Sequence, residues 1–132
     1  MIGEIGVESK ERCELIELGK ELDNILKDSG IKDGIMVVFI PHTTAGITIN
    51  ENADPDVKKD ILWKLGESIP KNEGYKHSEG NSDAHLKSSL IGASETLIIK
   101  NGKLILGTWQ NVYFAEFDGP RSRKVFVKII GD

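Results

Sequence analysis

The chain has 132 residues, 39% apolar and 29% charged, with a formal net charge of −4, the balance of one water-soluble domain spanning 1–132. It lacks the continuous lysine and arginine face that duplex nucleic acid requires, and its longest apolar run, Ile35 to Ile40, falls far short of the roughly 20 residues of a membrane span. Cys13 is the single cysteine, which leaves no internal disulfide and fits a reducing compartment.

The N-terminus has no basic stretch followed by an apolar one, so no signal peptide is expected and the protein is expected to be cytoplasmic. Ile2 to Val7 reads as an edge strand. Leu15, Leu18, Leu22, Ile25 and Leu26 recur at helical spacing, and Gly30 offers a left-handed stop beyond them. Ile35 to Ile40 is β-branched and aromatic on both faces, as a central strand should be. Ala45, Ile47 and Ile49 alternate with Gly46, Thr48 and Asn50, predicting a strand with one core face. Asp54-Pro55 starts a second helix, with Asp54 as cap and Val57, Ile61 and Leu65 as a buried stripe.

A third, shorter helix is capped by Asn81, Ser82 or Asp83, places Leu86, Ser89 and Leu90 on one face and ends at Gly92. Thr96 to Ile99 and Leu104 to Leu106 flank Asn101-Gly102, a strong hairpin signal. Trp109 to Phe117 and Lys124 to Ile130 complete the strands, with Trp109 read as core. Strands interrupted by isolated helices, without βαβ alternation, give an α+β fold.

Three segments carry polar chemistry. In Pro41-His42-Thr43-Thr44-Ala45-Gly46 and Asn50-Glu51-Asn52, polar residues sit at strand ends, where a rigid scaffold assembles sites; His42 and Asn50 are open between site and turn roles. In His77-Ser78-Glu79-Gly80-Asn81-Ser82-Asp83-Ala84-His85, His85 falls in the first helical turn and leans back toward the loop bearing His77. With His42, three neutral imidazoles and a water would make an open zinc-type site, with Glu79 as proton carrier. The spacing matches no standard metal motif, and capping or surface histidines are the alternative.

The third segment runs from Gly107-Thr108-Trp109-Gln110 to Glu116-Phe117-Asp118-Gly119-Pro120-Arg121-Ser122-Arg123. Extended geometry puts Arg121 and Arg123 on the side of Val125 and Val127, where guanidinium groups serve an anionic partner or pair with Glu116 or Asp118. Cys13 reads as a packing residue. P-loop, GxGxxG, GxSxG and HExxH patterns are absent.

Taken together, Pro41 to Asn52, Gly80 to Leu86, Leu106 to Gln110 and Glu116 to Arg121 resemble the signature blocks of the YjbQ family, in order, across most of the chain. The resemblance implies a compact α+β domain with a mixed or antiparallel, sandwich-like sheet and about three helices, assembled as a homotrimer. It also implies secondary thiamine-phosphate synthase activity, which joins an aminopyrimidine methyl diphosphate to a thiazole phosphate and releases diphosphate. On this reading His42, His77 and His85 are the metal positions. Glu79, Asn81, Gln110 and Arg121 are catalytic, and Thr44, Asn50, Arg121 and Arg123 bind a small phosphorylated substrate.

The implied cofactor is a divalent ion, zinc-type at the histidines or magnesium with the diphosphate. A metal-dependent hydrolase or lyase of a small anionic metabolite, and a non-catalytic trimeric metal- or anion-binding protein, are the competing expectations.

Overall fold

Two antiparallel sheets enclose the main apolar core of the computed structural model, which describes residues 2–132. In chain order the elements are β1 (Ile2–Glu8), β2 (Glu14–Glu17), α1 (Gly19–Ser29), β3 (Gly34–Phe39), β4 (Ala45–Glu51), α2 (Pro55–Ser68), α3 (Ser82–Ile91), β5 (Ser94–Lys100), β6 (Lys103–Leu104), β7 (Gln110–Glu116) and β8 (Ser122–Gly131). One sheet has the order β1-β8-β3-β5-β6 and the other β2-β7-β4. Every neighbouring pair is antiparallel. The α+β, sandwich-like fold expected from the sequence is the fold found.

Alternation along each strand assigns its side chains to layers. Val112 and Phe114 of β7 point into the core between the sheets, against Met36 and Val38 of β3 and Val125 and Val127 of β8. Tyr113 and Ala115 point the other way, into a second cluster with Leu15, Phe117 and Ala84 that α2 and α3 cover. The molecule is therefore layered as five-stranded sheet, three-stranded sheet, then α2 and α3. Helix α1 contributes Leu22 and Leu26 to the main core and ends on Gly30 at φ 72, as its left-handed stop predicts.

Four expectations are corrected. Leu15 belongs to β2, paired with Ala115, and the first helix begins only at Gly19; the leucine spacing ran across a strand-to-helix junction. No residue of α2 is fully buried, and Val57, Ile61 and Leu65 are half-covered, because that helix lies on the outer surface. On α3 the buried side is Asp83, Ala84, Lys87 and Ser88, while Leu90 is 69% exposed. Trp109, expected in the core, is 61% exposed. The Asn101-Gly102 hairpin forms as read, with φ of 54 and 75.

Helix α3 sits close on β4 because Gly46 has no side chain: a Cβ there would come within 2.7 Å of the Gly92 carbonyl oxygen. Ser88 Oγ donates to the Ala45 carbonyl at 2.6 Å, pinning helix to strand.

Candidate functional site

Where β4 begins and β7 ends, a fully buried carboxylate, Glu116, is met on every side. Arg123 Nε donates to it at 2.9 Å, Ser9 Oγ at 2.7 Å and the Asp118 N–H at 3.0 Å. Arg123 also donates to Thr44 Oγ1 at 2.8 Å. Burial pushes the Glu116 carboxyl up, but these hydrogen bonds and the Arg123 charge prevail and hold it below its usual range. Arg123 and Thr44, implied by the resemblance to bind substrate, are thus tied into the protein interior, and of the alternatives left open for Arg123 the pairing with Glu116 is the one that forms.

His42 lies beside this pair. Its Nε2 accepts the Lys124 backbone N–H at 2.9 Å, and its ring meets Phe114 edge-on at 6.5 Å. Burial, and then the Arg123 charge, push its pKa down, so the neutral ring is favoured.

A second network orders the start of α3. Arg12 donates to both oxygens of Asp83, at 3.0 and 2.9 Å, and Lys87 Nζ donates to the same carboxylate at 3.2 Å. Burial raises the Asp83 pKa, yet the two cations outweigh it and keep the carboxyl low. Asn81 Nδ2 donates to Asp118 Oδ2 at 2.9 Å, and Arg121 donates to the same oxygen at 2.8 Å. Asn81 Oδ1 is buried among the described residues without a partner. Cys13, half-buried nearby, has its thiol pushed up by burial, which suits packing rather than attack.

This framework presents His85 to the loop before α3. The His77 and His85 rings lie 5.4 Å apart, nearly perpendicular, and His77 Nε2 is 3.6 Å from Glu79 Oε2. Both imidazoles line an open pocket of about 330 Å³ with Tyr75, Lys76, Ser82 and Leu86. On its other side His85 borders a groove of about 490 Å³ with Thr43, Ser88 and Ser89. Arg121, half-exposed, remains at the rim of the Asp118 cluster.

The three histidines do not gather. Among the described residues, no group of three or more His, Cys, Asp or Glu side chains is placed to hold a metal ion. Asn50 and Gln110 lie at the far end of β4 and β7, since Ala45 pairs with Glu116 but Glu51 with Gln110, a separation of about 20 Å for seven extended residues. Both serve local turns there: Asn50 Oδ1 accepts the Glu51 N–H and Gln110 Oε1 accepts the Gly107 N–H. Sequence reading missed Arg12, Asp83 and Lys87 as framework and Tyr75, Lys76 and Ser82 as pocket walls. The i, i+4 spacing of Asp83 and Lys87 was a usable signal; Arg12 carried none.

An antiparallel two-sheet α+β domain with helices over the smaller sheet defines the class, and comparison with known proteins places it. The family model described as UPF0047 protein YjbQ-like matches residues 3–132. A UPF0047 protein of Methanocaldococcus jannaschii is 56% identical over 100% of this chain and 96% of its own length. YugU of Bacillus subtilis is 50% identical over 99% and 100%. A crystal structure of a YjbQ/UPF0047 protein from Clostridium acetobutylicum superposes with a TM-score of 0.95 at 57% identity, covering 96% of this chain and 98% of that one. A protein of unknown function from Sulfolobus solfataricus superposes at 0.96 with 36% identity, over 100% and 97%. The chain belongs to the YjbQ/UPF0047 family. Among the described residues, no helix is long and apolar enough to cross a membrane.

Proposed function

We propose that this chain is a small-molecule transferase acting on a phosphorylated metabolite in the His77–His85 pocket, with thiamine-phosphate synthesis as its reaction and a cytoplasmic homotrimer as its working form. The observation that carries the reading is the convergence of two imidazoles on one open pocket beside Lys76 and Ser82. The reaction itself comes from the family resemblance.

In that reaction the bond between the pyrimidine methylene and the diphosphate oxygen breaks, the thiazole nitrogen bonds to the methylene, and diphosphate departs. The departing group gathers negative charge, so donors positioned around it lower the barrier. Lys76 supplies a fixed cation, and the ring N–H groups of His77 and His85 donate to phosphate oxygens. Ser82, at the first turn of α3, adds a hydroxyl where the helix end favours an anion. Tyr75 gives the pocket an aromatic wall suited to a flat heterocycle. Glu79, 3.6 Å from His77, orients that ring.

A zinc-type ion held by all three histidines does not fit one chain, because His42 Nε2 already accepts a backbone N–H and no three donors converge among the described residues. A divalent ion is assigned instead to the substrate, as magnesium travels with diphosphate oxygens.

Incubation with the two thiamine precursors, followed by detection of thiamine phosphate, tests the reading. Wild type should turn over, and His85→Ala and His77→Ala should each lose about 10²-fold, the scale of a positioned proton donor. Equal turnover in all three proteins removes the chemistry from this pocket. Binding of both precursors without product makes the chain a binding protein.

A further inference from the structure

Two openings flank His85, one toward each end of α3. Ser82, His85 and Ser89 are spaced three and four residues apart, so they share one face of the helix. Ser82 and Ser89 stand about 10 Å apart along its axis. The pocket with Ser82 lies at the N-terminal end, where a helix favours an anion. The groove of about 490 Å³ with Ser89, Gly92 and Ala93 lies at the other end. That end is the negative pole of the helix dipole, and no basic residue of the last turn offsets it. Thr43 and Ser88 complete the groove, whose lining among the described residues includes no Lys, Arg, Asp or Glu. Two of its hydroxyls are already committed: Ser88 Oγ donates to the Ala45 carbonyl at 2.6 Å and Ser89 Oγ to the His85 carbonyl at 2.9 Å. A hydroxyl has one proton, so both have only lone pairs left to offer. The Gly92 and Ala93 carbonyls accept the Ile47 and Ile40 N–H groups at 3.0 and 2.7 Å, which fixes the groove wall to the strands beneath.

We infer that this groove is a second subsite of the same centre, taking an amino-substituted ring whose N–H groups are accepted by Ser88 and Ser89, with His85 between that ring and the bound anion. Lone pairs at the negative pole of a helix repel a phosphate, so the groove is no place for a second one. A bare divalent cation calls for carboxylate ligands, which the lining does not supply, and the volume is that of a small-molecule pocket. The inference deepens the transferase reading and rests on it for the identity of the ring: the precursor that bears the diphosphate carries an amine on its pyrimidine. Seated this way, that precursor lies along α3 with its diphosphate at the Ser82 end and its amine at the Ser89 end. Its own charge separation then runs with the helix dipole, and the methylene that is to be transferred sits beside His85.

Amide NMR spectra of the isotope-labelled chain, titrated separately with 4-aminopyrimidine, unsubstituted pyrimidine and inorganic diphosphate, test the assignment. The aminopyrimidine should shift Ser89, Gly92 and Ala93, and pyrimidine should bind about fivefold more weakly, the scale of one lost hydrogen bond. Ser89→Ala should weaken the aminopyrimidine by about the same factor. Ala93→Lys, which brings an ammonium to the same lone pairs, should abolish its binding. Both positions are exposed, so folding tolerates the changes, and an unaltered diphosphate affinity in each variant confirms it. Equal binding of the two rings, no binding of the aminopyrimidine, shifts confined to Tyr75, Lys76 and His77, or wild-type affinity in either variant overturns the subsite. Diphosphate should shift His77 and Ser82 and leave Ser89 in place. Its failure there removes the phosphate pocket and the transferase reading, while aminopyrimidine shifts at Ser89 keep the groove. Diphosphate bound at His77 with no ring in the groove does the reverse.

Discussion

Glu116 and Arg123 are each nearly sealed from solvent, and neither charge has a partner to spare. Removing only Arg123 leaves an uncompensated buried carboxylate, which costs about 3–5 kcal/mol, while replacing both ions with apolar side chains is far milder. Arg123→Met is therefore expected to lower the denaturant midpoint sharply, and Arg123→Met/Glu116→Leu to recover most of it. A double variant as unstable as the single would show that the pair is not the source of the loss. Arg121, two residues earlier, differs in kind. Its partner Asp118 is mostly covered but the guanidinium is half in water, where an ion pair contributes under about 1 kcal/mol. The period-two reading put both arginines on the core side; it failed for Arg121 because β8 starts at Ser122 and strand alternation does not reach back past it.

At the scale of elements, helix α3 buries a charged and small-residue side while its leucines face outward. Leu86→Ser/Leu90→Ser is accordingly expected to change stability by no more than about 0.5 kcal/mol per position. Ala84→Leu, placed against Tyr113 and Phe117, should cost about 1–3 kcal/mol by overpacking. Thermal melts of the two variants check the contrast, and the opposite ranking would restore the leucine face to the core.

The strands β3, β4, β7 and β8, the α2 cap at Asp54 and the Asn101-Gly102 turn were legible because each is written in local alternation, in capping chemistry or in backbone preference. The inward side of α3 was not. It is chosen by Arg12 and the Ala45 carbonyl, contacts from 71 and 43 residues away, and apolarity alone pointed the wrong way. The candidate site divided likewise. His77 and His85 are eight residues apart and were read together, whereas His42, Asn50 and Gln110 depend on which end of a sheet each strand presents, and strand pairing is invisible to spacing.

For the whole molecule, the half-buried His42 and two buried carboxylates, Asp83 and Glu116, set the response to acid, and all three act in one direction. His42 has a lowered pKa in the folded chain, so between that value and the unfolded value of about 6.5 the unfolded state binds more protons. Stability from this group is complete above about pH 6.5 and is lost as pH falls below it. Asp83 and Glu116 are also lowered; their stabilisation is present above the ordinary carboxylate range and is lost as pH falls through their folded values. Unfolding temperature at fixed protein concentration should therefore drop in two steps on acidification, one beginning near neutrality and one in the carboxylate range. His42→Gln keeps an acceptor for the Lys124 N–H but cannot titrate, so it should abolish the upper step and leave the lower. Persistence of the upper step in that variant would show that His42 does not carry it, and the neutral, backbone-bonded role assigned to His42 would fall with it.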